Sequence, residues 1–135
     1  HILPEIFSQL KKGGKELSLG NIESKRDFID VRDVATGFLK LCAKNFDELP
    51  ESKIINLGSG KTYSMRELLD FVREISGIEF EIKKDLSKFR KVDNPVILAS
   101  ISKLEEFLRW KPSFHIKDTL KITWDDDEIL SSLEY

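Results

Sequence analysis

The stretch Lys25-Arg26-Asp27-Phe28-Ile29-Asp30-Val31-Arg32-Asp33-Val34 runs a charged strand straight into an apolar helix. Asp30 stands where a helix N-cap is needed, and Asp33 falls in the first turn, where a negative charge complements the helix dipole. The helix that follows carries Val34, Phe38, Leu41 and Cys42 on one face, widened by Ala35, Leu39 and Ala43. So wide an apolar stripe predicts burial from more than one side. A second run from strand to helix follows. Lys53-Ile54-Ile55-Asn56-Leu57 is a short apolar run ending in Gly58-Ser59-Gly60, the pattern of a buried strand in a parallel sheet. Ser64-Met65-Arg66-Glu67 then reads as a capping box opening an amphipathic helix, with Gly77 as its stop.

The remaining pattern fits an α/β fold, a small mixed sheet with helices. Leu3 to Leu10 predicts a helix with Pro4 in its first turn, closed by Gly13-Gly14. Glu16 to Leu19 and Arg26 to Val31 predict strands separated by a turn at Gly20-Asn21, and Ile78 to Ile82 alternates as another. An irregular basic segment runs on to Pro95. Ile101 to Leu108 is a short helix that Ser100 is able to cap, Trp110-Lys111-Pro112 a turn, and Ile116 onward a terminal helix ending in the acidic stretch Asp125 to Glu128.

Size and charge remove several classes of function. A chain of 135 residues is one domain's worth, so residues 1–135 are read as a single portion. A formal net charge of −2 argues against non-specific binding to nucleic acid or to an anionic membrane, both of which rest on many phosphate-neutralising Lys and Arg. No apolar run approaches the ~20 residues that span a bilayer, and no signal-peptide pattern opens the chain, which reads as cytoplasmic. The single Cys42 lies in the helical stripe and reads as a structural thiol in a reducing compartment; with two distant histidines it makes no zinc motif, so no metal site is expected. His1 in place of Met points to a tag remnant or a chain cut from something longer.

Two features invite phosphate. Arg26 and Arg90, with Asp93, are separated in a way that suits a nucleotide diphosphate, because guanidinium groups are permanently charged and donate paired hydrogen bonds. The plainer alternative pairs Arg26 with a neighbouring aspartate and leaves Arg90 among Lys83, Lys84, Lys88 and Lys91 on a solvated face. Gly58-Ser59-Gly60-Lys61-Thr62 imitates a P-loop. The first glycine of that motif would fall at Ile55, inside the strand, and the following helix is capped at Ser64 rather than at Lys61, so NTP hydrolysis is set aside.

Taken together, Gly20-Asn21-Ile22, Arg26-Asp27-Phe28, Asn56-Leu57-Gly58-Ser59-Gly60, Arg90-Lys91-Val92-Asp93, Ser102-Lys103-Leu104 and Trp110-Lys111-Pro112 resemble the C-terminal part of extended short-chain dehydrogenases acting on nucleotide sugars. The resemblance is strongest to the branch working on GDP-mannose and its 4-keto-6-deoxy product. It departs from the family at Lys91, where Pro is usual, and at Ala99-Ser100, where Gly-Asp is usual. It implies that Arg26 and Arg90 contact the diphosphate and Asp93 the ribose hydroxyls, and that the strand of Arg26, the helix of Val34 and the strand of Ile54 border a cofactor lobe. The intact family uses NAD(P), held by a Gly-rich turn, and a Tyr-x-x-x-Lys pair. Neither occurs here: Tyr63 is followed by Glu67 at the lysine position. No catalytic residue is therefore assigned, and the chain alone is expected neither to bind NAD(P) nor to turn over. The expected partners are a nucleotide sugar such as GDP-mannose, the Rossmann domain that this sequence lacks, and a second copy in a homodimer or swapped oligomer. A portion of a UDP-sugar 4-epimerase, or a stand-alone nucleotide-sugar-binding or assembly module, remains the alternative.

Overall fold

The computed structural model describes residues 2–45, 47, 54–89 and 93–128. In chain order the elements are α1 (Ile2–Lys11), β1 (Glu16–Leu19), β2 (Lys25–Asp27), α2 (Val31–Cys42), β3 (Thr62–Ser64), α3 (Met65–Ser76), β4 (Glu81–Lys84), a 3-10 turn (Leu86–Lys88), β5 (Val96–Ile97), α4 (Ser102–Leu108) and α5 (Ile116–Asp125). The chain is α/β, as the sequence pattern predicts. Among the described residues no helix is long and apolar enough to cross a membrane.

The chain divides into two compact units. The first comprises residues 1–24, 64–94 and 117–135. Its sheet is a parallel pair, β1 with β4, in the register Glu16↔Glu81 to Leu19↔Lys84. Leu17 and Leu19 point inward on β1, and the apolar faces of α1 (Ile6, Phe7, Leu10) and α3 (Leu68, Leu69, Val72) are buried in the same unit. Trp124 meets Phe7 edge to face at 5.4 Å. Both helices stop as their glycines require. Gly13 has φ +86° and its N–H returns to the Leu10 carbonyl, and Gly77 has φ +67° with its N–H on the Arg73 carbonyl. The capping box at the start of α3 is complete, with Ser64 Oγ accepting from Glu67 N–H and the Glu67 carboxylate accepting from Ser64 N–H.

β4 begins later than its alternation predicts, at Glu81 rather than Ile78. Alternation gives the facing of side chains, but a strand exists only where a neighbour pairs with it. β1 begins at Glu16, opposite Glu81, so residues 78–80 precede the ladder.

The second unit comprises residues 25–63 and 95–116. Its three-stranded sheet has the order β3-β2-β5, with β2 in the middle and Lys25↔Val96 and Arg26↔Ile97 paired in parallel with β5. β2 ends at Asp27, four residues short of the expected Val31, because Asp30 leaves the ladder to cap α2, its carboxylate accepting from Arg32 N–H at 2.8 Å. α4 starts without the side-chain cap expected from Ser100. Its N-cap is Ile101, and the Ser100 hydroxyl lies 3.4 Å from that of Ser102 instead.

Two further expectations fail in this unit for one reason. α2 buries only Asp33 and Gly37, while Val31, Phe38 and Leu39 are 76%, 59% and 73% exposed and Cys42 is also exposed. Ile54 to Leu57 forms no strand, and Ile54 is 66% exposed. One side of α2 is covered inside the unit: a Cβ on Gly37 would stand 2.8 Å from Leu57 Cδ1 and 3.2 Å from Trp110 Cζ3. Nothing among the described residues of this unit covers the other side. A stripe made for two covering layers receives one, and a strand sequence with no neighbour to pair with does not become a strand.

Candidate functional site

Arg26 occupies the central strand of its unit's sheet and is half-buried. Its Nη1 donates to the carbonyl of Lys25 at 2.8 Å, which steadies the guanidinium against its own backbone. The aspartate beside it is committed elsewhere. Asp27 Oδ1 accepts from Ser59 N–H at 2.8 Å and from Ser59 Oγ at 2.6 Å. Its Oδ2 accepts from Gly60 N–H at 3.1 Å and from Ala99 N–H at 3.3 Å. A carboxylate has about four lone-pair directions, so these donors match its capacity. Gly58 allows the approach, since a Cβ there would lie 2.4 Å from that of Ala99 and 2.9 Å from Asp27 Oδ2.

This arrangement accounts for the glycine-rich turn that imitates a P-loop. A P-loop leaves its amides converging on an empty cradle for phosphate. Here the Ser59 and Gly60 amides go to Asp27, and Lys61 N–H goes to Ser59 Oγ at 3.1 Å. The turn is a clasp holding Asp27 at the end of β2.

A second carboxylate does similar work at the start of α2. Asp33, 2% exposed, accepts from the amides of Ser113 and Phe114 at 3.0 and 2.9 Å and from Ser113 Oγ at 3.3 Å. Arg32 makes a paired contact to Asp30 through Nε and Nη2, at 2.9 and 2.8 Å, and its guanidinium lies 3.8 Å from the centre of the Phe114 ring. The turn at 113–114 thereby becomes one wall of an open cleft of about 90 Å³, lined by Phe28, Ser59, Lys61, Tyr63, Pro112, Ser113, Phe114, His115 and Ile116. Tyr63 and His115 face each other across it, with the Tyr63 hydroxyl 3.5 Å from His115 Nε2.

In the other unit, Asp93 accepts from Asn21 Nδ2 at 2.9 Å. Asp85, at the foot of the same loop, accepts from Ser87 N–H and Oγ and from Ser18 Oγ, and these bonds, Ser87 first, hold its carboxyl below the usual range. Glu23 is likewise lowered, chiefly by its hydrogen bonds from Arg66, whose Nε lies at 2.9 Å. Of the three residues expected to hold the nucleotide, Arg26 and Asp93 are thus placed, each within its own unit, and Arg90 lies outside the described residues. Sequence reasoning missed the engagement of Asn21 and the clasp on Asp27. A polar residue inside a short strand, together with two glycines flanking a serine after an apolar run, was the available signal for the clasp.

Residues 1–123 match the family model for GDP-mannose 4,6 dehydratase. The chain belongs to this family. Among its relatives, GDP-6-deoxy-D-mannose reductase of Pseudomonas aeruginosa is 29% identical over 124 residues, which is 90% of this chain and 40% of that protein. A UDP-glucose 4-epimerase of Halalkalibacterium halodurans is 28% identical over 95 residues, 70% of this chain and 28% of the epimerase. The solved structure of RMD from Pseudomonas aeruginosa complexed with NADPH matches with a TM-score of 0.78 at 26% identity, over 97% of this chain and 41% of that one. This member of the family therefore spans about 40% of the length of the reductase it matches. The resemblance to extended short-chain dehydrogenases holds, and the fold is that of a portion of their Rossmann-type enzymes.

Proposed function

We propose that this chain is the nucleotide-sugar-binding portion of an NAD(P)-dependent dehydratase or reductase of the GDP-mannose branch, acting at C4 of the hexose. The observation that carries this reading is the match of residues 1–123 to the family model for GDP-mannose 4,6 dehydratase, with Arg26 half-buried in the central strand of its unit's sheet. Arg26 would donate to the diphosphate, joined by Arg90, while Asp93 accepts from the ribose hydroxyls. Such contacts lie far from the reacting carbon, and their binding energy serves to position it. The chain's own residues do not fit the cofactor. Its glycine-rich turn spends its amides on Asp27, and no Tyr-x-x-x-Lys pair is present, so NAD(P) belongs to the rest of the intact enzyme and no chemical step is assigned to this chain.

A titration of the chain with GDP, GDP-mannose, UDP and mannose tests the reading. GDP and GDP-mannose are expected to bind weakly and alike, mannose below detection, and NADPH without saturation. Preference for UDP over GDP would move the protein to the UDP-sugar 4-epimerases, a second reading that the Halalkalibacterium match favours.

The uncovered face of α2 supports a further expectation about assembly. Val31, Phe38, Leu39 and Ile54 are exposed apolar side chains of the kind that find a partner, and for this chain on its own the proposed partner is a second copy. Light scattering at micromolar concentration should show a dimer, and Phe38→Glu should shift it to monomer. A stable wild-type monomer would contradict this.

A further inference from the structure

We propose that Asn21 is a positioning residue for Asp93, setting the carboxylate that receives the ribose hydroxyls; the inference rests on the reading of Asp93 given above. Asn21 lies in the turn after β1, and both ends of its amide are engaged. Its Oδ1 accepts from Glu23 N–H at 3.0 Å, an Asx turn that fixes the side chain's orientation. Its Nδ2 donates to Asp93 Oδ2 at 2.9 Å across 72 residues of sequence. A carboxylate with one oxygen held in this way is restrained in its rotation about the Cβ–Cγ bond, and a preoriented acceptor loses less entropy when a diol binds.

The contact belongs to a larger brace. Asp85 N–H donates to the Leu19 carbonyl at 2.8 Å, Ser18 Oγ to Asp85 Oδ2 at 3.0 Å, and Lys88 Nζ to the Ser18 carbonyl at 2.8 Å. Gly20 brings the two segments together, because a Cβ there would lie 2.7 Å from the Lys88 carbonyl oxygen. The segment from Ser18 to Asn21 thus grips the loop at its start, through Asp85 and Lys88, and again at Asp93. Asparagine supplies both bonds at position 21. Aspartate would keep the Asx turn but set a like charge against Asp93, and alanine would supply neither bond.

The test uses Asn21→Asp and Asn21→Ala, titrated calorimetrically with GDP and with 2′,3′-dideoxy-GDP, which lacks the ribose hydroxyls. Wild type should prefer GDP by about tenfold, the worth of a hydrogen bond to a charged group. Asn21→Asp should abolish that preference by weakening GDP alone, leaving the dideoxy nucleotide bound as in wild type, and Asn21→Ala should reduce it in the same sense. If both nucleotides weaken equally in both variants, Asn21 is structural and the inference falls. If either variant keeps the wild-type preference, it also falls. A wild type without any preference would instead overturn the ribose reading of Asp93, and this inference with it.

Discussion

Asp27→Asn is expected to lower the unfolding free energy of this chain by about 3 kcal/mol, the cost of leaving two partly buried donors without an acceptor. The substitution keeps the shape of the side chain and changes its chemistry at one atom. One oxygen remains for two of the donors, and an NH2 group now faces the amides of the others, donor against donor. Asp27 joins three separate segments, since its partners are Ser59, Gly60 and Ala99, so its loss releases the Gly58 turn from β2 and β2 from the strand end near Ala99. A loss of that size corresponds to a fall in Tm of roughly 10 °C for a domain of this length. Urea unfolding checks it, with the midpoint moving and the slope unchanged. Ser59→Ala, which removes one hydroxyl donor and leaves the amides in place, should cost about 1 kcal/mol. A loss below that figure in Asp27→Asn itself would mean that the clasp contributes little.

The same residue shows which parts of this fold were legible in the sequence. Devices that act over three or four residues could be read directly. Asp30 capping α2, the Ser64 and Glu67 capping box and the left-handed Gly77 are each complete within one helical turn, and all three are present. The role of Asp27 could not be read because its donors stand 32, 33 and 72 residues away in sequence. The α2 stripe and the Ile54 run were expected to be buried and are exposed instead, because burial also needs a covering surface, which an apolar pattern does not report. Asn21 was noticed only as part of a turn and of the family resemblance. Its partner Asp93 stands 72 residues away in sequence, a pairing that no local pattern reports. Arg26 and Asp93 were proposed as nucleotide contacts from the family resemblance, since isolated charges carry no periodicity of their own.

Arg26 is proposed to hold a nucleotide diphosphate. Two charge-assisted hydrogen bonds from a guanidinium to phosphate oxygens contribute about 1.5 to 3 kcal/mol, so Arg26→Ala should weaken GDP binding roughly 10- to 100-fold. Arg26→Lys should recover part of this, because it restores charge but not the planar pair of donors. Calorimetric titration of GDP into wild type and Arg26→Ala, with urea midpoints establishing that both are folded alike, is the most direct measurement. A saturating wild-type isotherm and a loss of at least tenfold in the variant are expected. Equal affinities in the two proteins, or a wild type that does not bind GDP at all, would contradict it.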